Sequence, residues 1–109
     1  MKKELRIYQT KEGKQPFTDW LSSLKDRIGR ANITNKLNRA VHGNYGDCEH
    51  VGDGVYELKI HYGPGYRVYF SEQNETIILL LSGGIKRTQP RDIKKAKQYW
   101  IEFRERHYD

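Results

Sequence analysis

The stretch that most constrains the fold runs from Val55 to Phe70 and reads VYELKIHYGPGYRVYF. Apolar and polar residues alternate on both sides of residues 63–65, which predicts two antiparallel strands joined by a tight turn. With a three-residue loop, Tyr62 would face Tyr66, and every later pair would follow from that register. The hairpin would then have one apolar, aromatic face and one polar face.

The predicted register gathers ionisable side chains on the polar face. It sets His61 opposite Arg67 and Lys59 opposite Tyr69, and it leaves Glu57 on the same side. Directly opposed residues lie within reach of each other, so we expect a cluster of cations on an exposed sheet surface. The expected apolar pairs are Ile60 with Val68 and Leu58 with Phe70.

The segment before the hairpin predicts one short strand and two helices. Residues 4–8 alternate as a strand does. Pro16 suits the first turn of a helix, and apolar residues recur at helical spacing from Phe17 to Leu24. A second helix is predicted from Asp26 to His42. Turn-forming residues then predict a loop over 44–54.

The segment after the hairpin predicts a central strand and a final helix. Residues 76–81 read TIILLL, a short apolar run typical of a strand covered on both faces. Residues 82–84 would end it, residues 85–88 would form a basic loop, and Pro90 would start a helix that ends near His107. The whole chain, 1–109, is thus predicted to be one α+β domain. It would hold a short N-terminal strand, two helices, a three-stranded antiparallel meander and a C-terminal helix, with the helices on one sheet face and the polar hairpin face partly open.

The charge balance and cysteine usage limit the classes of function. Twenty Lys and Arg against 14 Asp and Glu give a net charge of +6, which favours a polyanionic partner, nucleic acid first. An anionic membrane, an acidic protein or a generic basic surface are the alternatives.

The single Cys48 excludes an internal disulfide and is typical of a reducing compartment. No spacing suggests a metal site, so we expect no metal and no cofactor. No apolar run resembles a signal peptide or a membrane span, so we expect a cytoplasmic protein without a membrane partner.

The polar face carries groups suited to cutting RNA without a metal. Such a reaction needs a base, an acid and cations that stabilise the pentavalent phosphate. Histidine is the side-chain type that ordinarily changes charge near neutrality, which singles out His61, and Arg67 presents a fork that matches two phosphate oxygens. Lys59 adds a second charge. The candidate catalytic residues are Lys59, His61, Arg67, Lys86 and Arg87, the last two from the basic loop. The candidate substrate-binding residues are Tyr69, Arg39 and Lys36.

Each of these residues has a plainer interpretation. His61 is compatible with an ordinary exposed strand position, and Arg67 with a surface ion pair to Glu57. Lys59 would also protect an exposed sheet against association, and Lys36 and Arg39 would also suit a solvated helix face. Composition and spacing therefore predict a basic α+β domain with an anion-binding sheet face.

Several motifs nevertheless carry a resemblance to a known family. They are GDGV-x-EL-K, GPGYRVYF, LLLSGG and DI-x-KA, together with RAVHGNYGD over residues 39–47. With these motifs the chain resembles the RelE/ParE toxin superfamily. It is most similar to the phage Gp49-like, HigB-type "addiction module killer" branch, and the likeness covers nearly the whole chain.

The resemblance implies the toxin of a type II toxin–antitoxin module, a metal-independent, ribosome-dependent mRNA endonuclease that arrests translation. Its partners would be the ribosome, mRNA and a cognate antitoxin, typically a helix-turn-helix protein from the same operon. Matched position by position, the implied site residues are Lys59, His61 and Arg67, with Lys86 or Arg87.

Two departures from the pattern keep alternatives open. Glu57 occupies a position where RelE has a lysine, and the C-terminal tyrosine of RelE has no clear match. The alternatives are a ParE-like toxin that inhibits DNA gyrase without cleaving RNA, and a toxin-fold protein that acts only as the partner of an antitoxin repressor.

Overall fold

The computed structural model describes residues 2–107, and this part of the chain forms five strands, three α-helices and one 3₁₀ turn. In chain order these are β1 (Glu4–Ile7), α1 (Pro16–Ser23), α2 (Arg27–Val41), β2 (Cys48–Gly52), β3 (Val55–Ile60), β4 (Tyr66–Gln73), β5 (Ile77–Ile85), the 3₁₀ turn (Lys86–Thr88) and α3 (Gln89–His107). The predicted α+β class is confirmed. No helix in this part of the chain has the length and apolar character needed to cross a membrane.

The five strands form one mixed sheet in the order β1-β5-β4-β3-β2. β1 runs parallel to β5, and all other neighbours are antiparallel. The meander therefore has four strands instead of the three predicted, because β2 lies inside the predicted loop 44–54. Asp53 and Gly54 have φ values of 56° and 80° and connect β2 to β3. Two residues of positive φ favour a tight hairpin turn, so these turn-forming residues join two strands.

β5 continues through residues 82–84, which were predicted to end it. The two glycines there are sites where helices approach the sheet closely. A Cβ at Gly83 would collide with the Trp20 ring of α1, and one at Gly84 would collide with the Asp92 carboxylate of α3. Glycine inside a strand often marks such an approach. Gly83 and Gly84 therefore let α1 and α3 pack on opposite faces of β5 without interrupting the strand.

The helix boundaries follow local signals closely. α1 begins at Pro16 as predicted. Asp26 caps α2, since its side chain accepts a hydrogen bond from the Gly29 N–H at 2.9 Å. α3 begins at Gln89, one residue before the predicted Pro90, and reaches the predicted end at His107.

The helices cover both faces of the sheet, so the prediction that they share one face is wrong. Phe17 of α1 and Ile33 of α2 pack against one face in a core that includes Leu58. Ala96 and Trp100 of α3 pack against the opposite face in a second core. Their i, i+4 spacing forms an apolar stripe, and that stripe needs an apolar surface to bury it. The predicted cover of the central apolar strand on both faces is confirmed, and the polar hairpin face is largely enclosed.

Candidate functional site

The hairpin between β3 and β4 pairs Lys59 with Arg67 and Glu57 with Tyr69. The predicted pairs of His61 with Arg67 and Lys59 with Tyr69 are therefore wrong by two residues. The apolar side shows the same shift, with the pairs Ile60 with Tyr66 and Leu58 with Val68.

The register moves because the connection is longer than three residues. The Tyr62 N–H donates to the Ile60 carbonyl at 2.9 Å, and the Gly65 N–H donates to the Tyr62 carbonyl at 3.1 Å. Residues 61–65 thus turn the chain, and Gly63 and Gly65 adopt φ values of 56° and 79°. A shift of two leaves each side chain on its face but changes its neighbours.

The end of this hairpin and the start of α3 line an open depression of about 670 Å³. Its lining residues are Lys59, His61, Tyr62, Gly63, Pro64, Gly65, Arg67, Lys86 and Gln89. Four of the five predicted catalytic residues are therefore brought together. Arg87 is exposed in the 3₁₀ turn and is not part of the lining.

Arg67 forms part of the floor of the depression, where its side chain is only 7% exposed. Its Nη1 donates to the Gly65 carbonyl at 2.7 Å, and its Nε lies 3.6 Å from Glu57 Oε2. The expectation that Arg67 lies on an open face is wrong, because α3 begins over this end of the sheet. Its ion pair with Glu57 is buried rather than at the surface. One edge of the guanidinium is thus hydrogen-bonded to the loop, and another faces the Glu57 carboxylate.

Glu57 and Tyr69 lie beside Arg67 and are fully buried. Glu57 Oε2 accepts hydrogen bonds from the Tyr69 hydroxyl at 3.1 Å and from Gln89 Nε2 at 2.7 Å. Burial, with the Glu57 charge, raises the pKa of Tyr69 well above its ordinary value. Tyr69 is a neutral interior donor, and its ring offers no open face on which an RNA base could stack.

Lys59 and His61 lie nearer the rim, and each has a carboxylate partner. Lys59 Nζ lies 2.8 Å from Glu49 Oε1, and this hydrogen bond raises the pKa of Lys59. His61 Nε2 lies 2.5 Å from Asp47 Oδ2, and the bond from His61 lowers the pKa of Asp47. His61 follows the last residue of β3, and its side chain is 70% exposed. The imidazole is oriented by Asp47 and still accessible.

The two α2 candidates lie outside the lining of the depression. The Lys36 ammonium lies beside Gly46, and its charge helps to lower the pKa of Asp47. Arg39 is exposed in the last turn of α2. Lys36 therefore extends the positive region past Asp47, whereas Arg39 is further along the helix.

Three residues of the site were missed in the sequence. Tyr62 is 37% exposed at the rim and was assigned to a strand, so a correct loop length would have revealed it. Asp47 was treated as a turn residue of a loop. Gln89 comes from the far end of the chain, and no local pattern links it to Glu57. In residues 2–107 no group of three or more His, Cys, Asp or Glu side chains is arranged to hold a metal ion.

The fold and the depression define a small α+β protein with a five-stranded mixed sheet and a cationic site at the end of one hairpin. No family model matches the chain. A protein of Haemophilus influenzae, described as uncharacterized, is 48% identical to it over 81 residues, which is 74% of this chain and 82% of that relative. The chain belongs to the same family as this Haemophilus protein.

Proposed function

We propose that this protein is a metal-independent, ribosome-dependent mRNA endonuclease, the toxin of a type II toxin–antitoxin module. The observation that carries the proposal is the single depression shared by Lys59, His61, Arg67 and Lys86. Like charges directly opposite each other on a sheet repel, so the pairing of Lys59 with Arg67, with Lys86 close by, supports a phosphate ligand. The motif resemblance to HigB-type toxins points to mRNA as the polyanion, and ribosomes place the activity in the cytoplasm.

The geometry supports one assignment of roles. Arg67 binds the scissile phosphate from the floor, with Lys86 from the rim, where they stabilise the charge that develops in the transition state. The raised pKa of Lys59 keeps this side chain protonated near neutral pH, so Lys59 serves as a cation or an acid and not as the base. His61 is left as the base.

The proton transfers balance in this arrangement. With Asp47 on Nε2, the His61 Nδ1 takes the proton of the ribose 2′-hydroxyl, and the 2′-oxygen attacks phosphorus. The 5′-oxygen leaves with a proton from Lys59, and the products are a 2′,3′-cyclic phosphate and a new 5′-hydroxyl end. The Asp47 carboxylate stabilises the imidazolium that forms.

The decisive test is transcriptome-wide mapping of 5′ ends after induction. The parent protein should produce new ends within coding regions, and His61→Ala should remove them. His42→Ala is the matched control, because His42 is an exposed histidine at the end of α2, outside the depression, and it should cleave like the parent. Intact transcripts during growth arrest would contradict the proposal.

The carboxylates of the site favour a second candidate, a ParE-like inhibitor of DNA gyrase. Lys59, His61 and Arg67 are each paired, with Glu49, Asp47 and Glu57. Pairing lowers the positive potential available to RNA and suits a surface that binds protein. Purified protein would then inhibit supercoiling while mRNA stays intact.

Normal growth on expression without an antitoxin would favour a third role, as the partner of an antitoxin repressor. A neighbouring reading frame for a helix-turn-helix protein would support the toxin–antitoxin assignment.

A further inference from the structure

A buried carboxylate lies directly behind the floor of the depression. Glu57 is fully buried, the Arg67 side chain is only 7% exposed, and 3.6 Å separates Glu57 Oε2 from Arg67 Nε. Burial of a charge is costly unless an opposite charge and hydrogen bonds compensate it. Such a pair therefore needs an explanation that a solvent-exposed ion pair would not need.

The surrounding hydrogen bonds fix the carboxylate and leave the guanidinium contact incomplete. Tyr69 from β4 and Gln89 from α3 both donate to Glu57 Oε2, so two elements hold the same oxygen of a β3 residue. Among the described residues, neither Glu57 Oε1 nor Arg67 Nε has a hydrogen-bond partner. A shift of about half an ångström would bring Nε within hydrogen-bond range of Oε2.

We propose that Glu57 is a positioning residue that holds Arg67 by its Nε edge, and that Gln89 holds Glu57 in turn. The inference rests on the proposed function, because it assigns how the phosphate-binding guanidinium of that site is aimed. With Nε facing Glu57 and Nη1 bonded to Gly65, the remaining donors of the guanidinium are left for a phosphate. This role also accounts for a glutamate where the resemblance implies a lysine.

Positioning of Arg67 by a carboxylate should affect phosphate binding and the chemical step in opposite directions. The negative charge of Glu57 weakens the attraction of Arg67 for a phosphate, while the fixed orientation speeds the chemical step. Removal of the charge should therefore move affinity and rate in opposite directions. A purely structural role would lower both in proportion to the fraction of folded protein.

The test compares Glu57→Gln with the parent protein in binding and in chemistry. Glu72→Gln is the control, because it removes a partly buried, lysine-paired carboxylate from β4 outside the depression. Binding of a short single-stranded RNA is measured by fluorescence anisotropy, and single-turnover cleavage of ribosome-bound mRNA is measured on folded protein. We expect Glu57→Gln to bind as tightly as the parent or tighter and to cleave about 100-fold more slowly. Cleavage within about threefold of the parent would overturn the proposal, as would equal losses of binding and cleavage.

Gln89→Ala provides a second variant with less risk to folding, since Gln89 is only partly buried. It should slow cleavage by about tenfold while RNA binding and stability change little. Unchanged cleavage in this variant would remove Gln89 from the proposed chain of contacts.

An independent readout separates this proposal from the proposed function. The Arg67 Nε proton, followed by ¹⁵N NMR, should exchange slowly with water in the parent and in Glu72→Gln. In Glu57→Gln it should exchange quickly. Equal protection in parent and Glu57→Gln would overturn the hold of Glu57 on Arg67. If the parent cleaves no mRNA but the signal behaves as expected, the nuclease proposal fails while the hold of Glu57 on Arg67 stands.

Discussion

Both faces of the sheet are covered by helices, yet the two faces differ in what they enclose. The face under α1 and α2 holds an apolar core that includes Leu58, Val68 and Phe70, and its ionic contact between Lys3 and Glu72 is only partly buried. The face under α3 is apolar around Leu81 and Trp100 but changes at one end to the buried ionic cluster of Glu57 and Arg67. Both faces arise from the same alternation along β3 and β4. The difference teaches that polar strand residues become buried or exposed according to where the covering helix begins.

The largest expected effect tests the ionic end of the α3 face. Arg67→Ala leaves the Glu57 carboxylate buried without its cation, so we expect a loss of about 3–5 kcal/mol in the free energy of unfolding. The measurement is urea denaturation at neutral pH. Arg87→Ala, at an exposed arginine of the 3₁₀ turn, should change stability by less than about 0.5 kcal/mol. A loss for Arg67→Ala as small as that of the control would mean that the ion pair is not buried in solution.

A substitution in the apolar face should be costly for stability but not for the site. Leu58→Ala removes a fully buried side chain between the helices and the sheet, and we expect a loss of about 3 kcal/mol. Ile28→Ala, at a residue 61% exposed, should be close to neutral. At a temperature where Leu58→Ala remains folded, it should bind RNA as the parent does. Weaker binding by folded Leu58→Ala would show that the two faces are coupled.

Gly65→Ala tests how closely the loop fits the guanidinium. Gly65 has a φ of 79°, and a Cβ there would lie 2.7 Å from Arg67 Nη1. Gly43 has a φ of 87° with no atom within 4 Å of such a Cβ, so Gly43→Ala has comparable backbone strain without the collision. Both variants should lose about 1–2 kcal/mol of stability, but only Gly65→Ala should lose RNA binding and cleavage. Equal activity in both would mean that Arg67 adapts freely.

Glu49→Gln frees Lys59 at the rim of the depression. Because an exposed ion pair is weak, we expect RNA binding to tighten by only roughly two- to fivefold at low salt. The gain should shrink as salt is added, since the charge is exposed. Glu12→Gln, an exposed carboxylate in the turn before α1, is the control. Equal binding by parent and both variants would show that Glu49 does not compete with RNA.

The smallest effect concerns the pH dependence of the pair between Asp47 and His61. The pKa of Asp47 lies below its usual value in the folded protein. Its contribution to stability is therefore present above the unfolded pKa, near 3.8, and is lost as the pH falls through the folded pKa. Asp47→Asn should be slightly less stable than the parent near pH 6, and the two should converge in strong acid. Urea denaturation between pH 2 and pH 7 measures this, and a constant difference would contradict it.

Local chemistry in the sequence determined much of the fold. Pro16 and Asp26 mark the starts of helices because a missing N–H and a side-chain acceptor suit those positions. Period-two alternation in β3 and β4 determined which side chains share a face, so Lys59, Arg67 and Tyr69 were correctly grouped. These features depend on a residue and its near neighbours, which is why a sequence is enough to predict them.

Contacts between distant segments decided the rest of the fold and the site. β2 exists because its backbone pairs with β3, and the five-residue connection sets Lys59 opposite Arg67. The polar face of the hairpin is enclosed because α3 begins over Glu57 and brings Gln89 to it from 32 residues further along the chain. Alternation places a side chain on a face, but only tertiary packing decides what covers that face. That is why the hairpin alone predicted an exposed patch of charge, whereas the folded protein holds Arg67 at the floor of a depression.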